Sequence, residues 1–399
     1  MYTVMNEKMI RKYAYMLARV GINVQPGQKV MVEVMPDAYT FVPVFAEECY
    51  KAGASQVIVT YLDLGLLKTR AIYEPAEQVM EIAPWQRESY ETYLQQGCAV
   101  VRLEGVNTKL MEDATEAQAN AIFAFVDNMR NIARAYSSKQ QWLIAMVPTQ
   151  AWAETVFPNE PKDKVLDMLW DTLFKLCYIT EDNDIVKTWE EKKADKQKKG
   201  EKMDSLNLRK LHYTASNGTD LYVGLTENSR YSFKPPKDEK RINFSANMPS
   251  EEVCTTPDKW ATEGVVYSTR PLVLGGKKVE NFGFRFEKGK VVEVIAGEGK
   301  EMLESLVNTD EGASYLGEAA LVEYNSPISQ SGLVYYTTLI DENASCHLAL
   351  GRGSWQMDER FNNSQIHIDF MIGTPDMNIV GTDADGNEVQ VFKDGNFAF

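Results

Sequence analysis

Histidine is scarce in this chain: His212, His347 and His367 are the only three among 399 residues. Chemistry that needs an imidazole therefore has few places to occur. Positive charge is also in short supply, with 42 basic against 57 acidic side chains and a net charge of −15. Such a surface repels phosphate backbones and anionic lipid, which argues against nucleic acid and membrane surfaces as partners. No segment approaches the roughly 20 consecutive apolar residues that a membrane span needs. The N-terminal segment through Gly21 mixes charges into its apolar positions and lacks a continuous apolar core before a small-residue cleavage site, so it does not read as a secretory signal. The five cysteines, Cys49, Cys98, Cys177, Cys254 and Cys346, show no CxxC spacing, and their odd number argues against a disulfide framework. A cytoplasmic location is the expectation by elimination. No GxGxxG and no Walker-type loop follows any strand pattern, and Gly297-Glu298-Gly299-Lys300 is too short to count, so no nucleotide role is indicated.

What is present is an ordinary globular composition, 44% apolar and 25% charged, on a chain long enough for two domains. Met9, Tyr13, Met16, Leu17 and Val20 recur at helical spacing before the strand pattern Lys29 to Val34. A helix over about 40–52, a strand from Ser55 to Tyr61, helical stretches near 75–95, a strand from Cys98 to Leu103, a long helix near 115–136 and a strand from Trp142 to Val147 continue the alternation. The first domain, 1–186, is thus expected to be an open α/β sheet with helices. Residues 187–204 are charged enough to form a solvated helical linker. The domain 205–399 is expected to be α+β and β-rich, with hairpins at Asn217-Gly218 and Lys288-Gly289, a helix near 299–308 and a further helix around 312–322.

The chemistry-bearing residues gather in the second half. In Gln365 to Met371, strand geometry sends Ile366, Ile368 and Phe370 to one face and His367 with Asp369 to the other. That pair is either a hydrogen-bonded couple on an exposed strand or part of a metal site. Gly317 to Glu323 and, 29 positions after Glu318, Cys346 to Gly351 set Glu318 and His347 among apolar neighbours, where a lone charge is expensive. Taken alone, Glu318 reads as a surface helix residue. Cys346 reads as a small buried thiol rather than a nucleophile, and His212, with no carboxylate beside it in sequence, as structural. Glu251 and Glu252 form an acidic pair in a proline-bounded loop from Asn247 to Pro257.

Together the segments Asn247 to Pro257, GEAALVEYN at 317–325, HLALG at 347–351 and SQIHIDFMIG at 364–373 resemble, in order and spacing, the signature segments of the thermophilic aminopeptidase T family of metallopeptidases. The resemblance extends over essentially the whole chain. It implies a metal-dependent aminopeptidase in which two divalent metals, Zn, Co or Mn, are held by Glu252, Glu318, His347, His367 and Asp369 and activate a water. Glu251 or one of the ligand glutamates, Glu318 among them, would move the proton. It also implies peptide substrates with a free N-terminus and a homodimer. One departure stands out. The family pattern places a tyrosine where this chain has Ser354, so Trp355, Tyr335 or Tyr336 compensates, or the chain is a metal-binding homologue with weak or lost peptidase activity.

Overall fold

Short segments rich in valine, separated by helical stretches, fold into a parallel sheet. The structure, a computed structural model, describes residues 4–107, 109–232, 242–274, 277–353 and 358–399. β1 (Lys29–Val34), β2 (Gln56–Tyr61), β3 (Ala99–Glu104), β4 (Trp142–Met146) and a two-residue β5 (Asn247–Met248) pair in the order β2-β1-β3-β4-β5, every pair parallel. β1 has β2 on one side and β3 on the other, so the winding direction reverses there. The helices of this unit are α1 (Val4–Met16), α2 (Val42–Ala52), α3 (Leu64–Tyr73), α4 (Ala76–Met80), α5 (Pro84–Gln95), α6 (Glu116–Arg134), α7 (Gln150–Val156) and α8 (Val165–Leu176). Tyr13, Phe41, Phe45, Trp170 and Phe174 form an aromatic cluster joining α1, α2 and α8. Met31 and Val100, which share a face of the sheet, pack with Tyr90 and Leu94 of α5 and Ile132 of α6. Local signals set the helix ends. Thr115 and Gln118 satisfy each other's backbone N–H groups at the start of α6, and Gly53 closes α2 at φ +109°.

The chain forms two compact units, one running to Glu190 and taking back residues 242–249 with Lys277, the other holding the rest. α9 (Ile185–Ser205) is one continuous helix, shared in sequence between them. The division is therefore not a single cut near 187–204. β5 rejoins the first sheet by pairing with β4, a long-range contact of two residues that no periodicity could announce.

The second unit is built from antiparallel strands. An eight-stranded sheet runs, in spatial order, through 290–295, 283–287, 262–267, 220–224, 208–214, 378–383, 388–393 and 396–397. Both expected hairpins form, with Lys288 at φ 50° and Gly289 at φ 82° making the tight turn that such connections need. Phe282, Phe284, Phe286, Leu211, Tyr213 and Val266 form its core with Leu303 and Val307 of α10 (Lys300–Val307).

A separate four-stranded sheet contains β6 (Val253–Thr255), β7 (Leu316–Leu321), β8 (His347–Gly351) and β9 (His367–Met371), in the order β9-β8-β7-β6. β7 corrects the expectation of a helix around 312–322: only a short 3-10 turn, Gly312–Ser314, precedes the strand. Every residue of β7 is buried and its backbone pairs on both sides, with β6 and β8. The alanine-rich sequence favours a helix locally, but a helix cannot satisfy two neighbouring strands. Among the described residues no helix is long and apolar enough to cross a membrane.

Candidate metal centre

Register in the four-stranded sheet decides which side chains meet. Glu318 of β7 lies level with Ala349 of β8, and Ala349 lies level with Asp369 of β9. Because side chains alternate between faces, His347, two residues from Ala349, and His367, two residues from Asp369, share that face. Ala319, Leu321, Leu348, Leu350 and Phe370 occupy the opposite face and enter the core. Ala320 and Ala349 are small and leave space between the polar groups. Glu252 arrives from the residue just before β6.

The five residues form two clusters joined by Glu318. Glu252, Glu318 and His347 make one and Glu318, His367 and Asp369 the other, with the ligand atoms of each within 4.8 Å of one another. Glu318 turns one oxygen to each histidine: Oε1 lies 3.7 Å from His347 Nε2 and Oε2 lies 3.9 Å from His367 Nε2. His347 Nε2 is 3.2 Å from Glu252 Oε2, and His367 Nε2 is 3.4 Å from Asp369 Oδ1. Neither cluster includes Glu251. That residue is held by its backbone N–H, which donates to Asn343 Oδ1 at 2.6 Å.

Backbone carbonyls orient both imidazoles. His367 Nδ1 is 2.6 Å from the Arg352 carbonyl and His347 Nδ1 is 3.3 Å from the Ser345 carbonyl. A carbonyl only accepts, so each Nδ1 carries the proton and each Nε2 faces the carboxylates. The buried Nε2 of His347 has no hydrogen bond of good geometry despite its carboxylate neighbours. An inward nitrogen of this kind, ringed by oxygen donors, is what a cation would satisfy.

The charges are coupled. Burial opposes ionisation of Glu252, but His347 and, more weakly, Lys196, which donates to Ser250 Oγ at 3.1 Å, hold its carboxyl below the usual range. Burial likewise opposes Asp369 and is outweighed by His367 and then His347. On the imidazoles burial favours the neutral form, yet Glu252 and Glu318 push His347 well up, and Asp369 with Glu318 push His367 to about 9.

Sequence reading missed Glu342. It is buried, and burial together with Asp369 and Glu252 pushes its carboxyl well above the usual range. A carboxyl in that position ionises readily only if a cation joins the group. The signal was there: Asp341-Glu342-Asn343 sits between the apolar residues Leu339-Ile340 and Ala344, five residues before His347 ends the segment. The neighbouring Asp341 is buried against Arg270 at 3.1 Å and accepts the backbone N–H groups of Tyr335 and Thr337; burial nonetheless lifts it to about 6.

The other sequence candidates find other surroundings. Cys346 is buried with its thiol directed at the Val322 carbonyl, and burial raises it to about 11. Cys346→Ala should leave turnover unchanged and cost about 1 kcal/mol of stability, checked by steady-state rates and thermal melting. Burial also raises Cys254 well above its ordinary value. His212 does have a carboxylate, Asp220 at 2.7 Å across the hairpin, and stacks on Tyr222 at 3.9 Å. Tyr335 commits its hydroxyl to Ser331 Oγ at 2.9 Å, and Lys278 lies over the Tyr336 ring. Ser354 and Trp355 lie outside the described residues.

Glycines allow the strands to approach. Gly317 is the extra residue of a bulge between β7 and β8, and a Cβ there would meet the Gly351 carbonyl oxygen at 2.3 Å. Gly351 adopts φ +98°, and a Cβ would lie 2.2 Å from the Ile366 oxygen, next to His367. Gly351→Ala should therefore add about 1–3 kcal/mol of strain and displace His367. Melting temperature and bound metal should fall together; an unchanged metal content would separate Gly351 from the site.

Comparison with known proteins agrees along the whole chain. The sequence pattern of the family described as thermophilic metalloprotease (M29) matches residues 6–397. The chain is 38% identical to aminopeptidase AmpS of Bacillus subtilis over 98% of both proteins, and 33% identical to aminopeptidase 2 of Geobacillus stearothermophilus over 98% of both. The solved structure of wild-type AmpT from Thermus thermophilus superposes with a TM-score of 0.90 at 32% identity, covering 98% of this chain and all of that one (100%). A 2,5-dihydroxypyridine dioxygenase from Pseudomonas putida, 13% identical at a TM-score of 0.52, shares the fold alone.

Proposed function

Because this chain belongs to the thermophilic metalloprotease family M29 and is a metallo-aminopeptidase, we propose that it removes N-terminal residues from peptides by means of two divalent cations held by Glu252, Glu318, His347, His367 and Asp369, with Glu342 completing the set. The observation that carries the reading is Glu318, which presents one oxygen to each of two histidine-carboxylate clusters. The donor set fits the group. It is nitrogen and oxygen throughout, which suits Zn²⁺, Co²⁺ or Mn²⁺. Its four carboxylates balance two divalent charges once both imidazoles are neutral. When bound, the metals supply Lewis acidity toward the scissile carbonyl and a water that ionises near neutral pH.

The chain's own groups do the rest. The Arg352 and Ser345 carbonyls fix the imidazole tautomers, so that both Nε2 atoms stay directed inward. A substrate's free α-amine would be held at the same centre, which accounts for attack at the first peptide bond. Proton transfer is assigned to Glu251 or Glu318. Glu251 lies outside both clusters, so it is the one whose loss leaves the ligand set intact.

The test is hydrolysis of a panel of aminoacyl-p-nitroanilides with metal quantified, before and after chelation and on return of Co²⁺, Zn²⁺ or Mn²⁺. Release abolished by chelation and restored by metal is the expected result. About two bound metals without release from any substrate would favour the weakened homologue to which Ser354 points, and no binding after reconstitution would end the proposal. The homodimer implied by the family resemblance is part of the same proposal and is checked by sedimentation.

A further inference from the structure

Two segments that carry residues of the centre lie outside every strand. Glu252 stands just before β6, and Glu342 opens the 3-10 turn Glu342–Ala344 that precedes β8. Pairing between β6 and β7 ends at Val253, so no ladder holds residues 250–252. β7 separates β6 from β8, and Ala320 lies level with both Cys254 and His347. Two strand spacings amount to about 9–10 Å. Glu252 Oε2 nevertheless comes to 3.2 Å from His347 Nε2. That reach depends on where the backbone before β6 is fixed.

Side chains supply the fixing. Lys196 of α9 donates to Ser250 Oγ at 3.1 Å, and the Glu251 N–H donates to Asn343 Oδ1 at 2.6 Å. The other end of the same amide serves the opposite segment: Asn343 Nδ2 donates to the Leu339 carbonyl at 3.0 Å and reaches Glu342 Oε1 at 3.4 Å. These partners settle which way the amide points, since an N–H needs its oxygen and a carbonyl needs its nitrogen. The Asn343 carbonyl in turn accepts from Ser326 Oγ at 3.2 Å. Asn343 is fully buried, so water is not at hand to replace it. Two residues on, Ser345 offers the carbonyl that orients His347.

We propose that Asn343 is a positioning residue of the metal centre, whose one amide clamps the backbone beside Glu252 to the turn that carries Glu342 and leads to His347. Its oxygen and nitrogen are committed to these partners, so it acts through its neighbours and not as a ligand. Truncating it leaves the Glu251 N–H and the Leu339 carbonyl without their partner and releases Glu252 from Glu342. The inference rests on the two-metal reading above and assigns Asn343 to the cluster of Glu252, Glu318 and His347. Glu318, His367 and Asp369 lie within β7 and β9, where the ladders to β8 hold them without its help.

Titration calorimetry of the chelator-treated full chain with Co²⁺, beside thermal melting, tests this in the parent, Asn343→Ala and Val266→Ala, a control buried in the core of the eight-stranded sheet. The parent should show two binding steps. In Asn343→Ala one step should weaken about 10–100-fold and the other persist. Val266→Ala should melt earlier with both steps as in the parent. Parental affinity at both steps in Asn343→Ala, or equal weakening of both, overturns the proposal and leaves Asn343 a structural amide. No Co²⁺ binding by the parent overturns the two-metal reading and the proposal with it, so the two failures are told apart. Should Asn343→Ala fail to fold, Asn343→Asp keeps the shape and the acceptor for Glu251 but loses the donors toward Leu339 and Glu342. It should weaken the same single step, and unchanged affinity there overturns the proposal equally.

Discussion

Glu318→Gln should abolish peptide hydrolysis, with a loss on the order of 10³-fold or more, since even partners outside a ligand set cost about 10–100-fold when removed. The substitution preserves side-chain shape in a strand whose residues are all buried, so the fold should survive. It removes the carboxylate shared by both clusters. An amide nitrogen then faces one of the two imidazoles where an anionic oxygen stood, and neither His347 nor His367 keeps its shared partner. Bound metal should fall from about two per chain, whereas loss of Glu252 or Asp369 disturbs one cluster directly and the other only through Glu318. Metal stoichiometry measured beside turnover distinguishes these cases. A Glu318→Gln protein with full metal content and parental rates would remove the centre from the proposed site.

How much of this was legible in sequence depended on whether a residue's neighbours were local. His367 and Asp369 could be placed on one face from their spacing, because strand alternation is a local rule and Ile368 and Phe370 mark the other side. Glu318 could be suspected but was set on the wrong element. Gly-Glu-Ala-Ala-Leu-Val-Glu has the residue preferences of a helix, and the override comes from β6 and β8, which are remote in sequence. Glu342 was lost for a related reason. An Asp-Glu-Asn run reads as solvated until the fold buries it beside Asp369 and Glu252. The parallel first sheet was visible as alternating strands and helices, yet its fifth strand was not. Met248 pairs with Ala145 across a hundred residues, and two residues carry no period. The tautomer-fixing carbonyls of Arg352 and Ser345 are backbone groups, which no side-chain pattern reveals.

Metal affinity should rise steeply with pH while the stability of the metal-free protein falls, and the two trends have one origin. Without metal, His347 is raised well above its ordinary value and His367 to about 9, so both rings are protonated at neutral pH. Their folded values exceed the unfolded value near 6.5. The stability they contribute is therefore fully present below about 6.5 and is lost as pH rises through their raised values, about 9 for His367. Glu342 acts in the same direction: its raised carboxyl holds a proton that the unfolded chain has released, so rising pH again favours unfolding. Glu252 and Asp369, both lowered, act at the acid end, where their contribution is lost as pH falls below the usual carboxylate range. The metal-free protein should accordingly be most stable on the mildly acidic side of neutrality. A metal ion requires the same Nε2 atoms deprotonated, so each proton displaced makes affinity climb about tenfold per pH unit until the imidazoles are neutral, for His367 near 9. Titration of chelator-treated protein with Co²⁺ in two buffers of different ionisation enthalpy counts the protons released, and melting with and without Co²⁺ should show a gap that widens from pH 6 to 9. Pairing His347 and His367 with metal, with Glu342 ionised beside them, predicts two to three protons released at pH 7.5. Binding that releases none, with affinity flat across this range, would mean that the two imidazoles are not ligands and that their inward nitrogens serve the carboxylates alone.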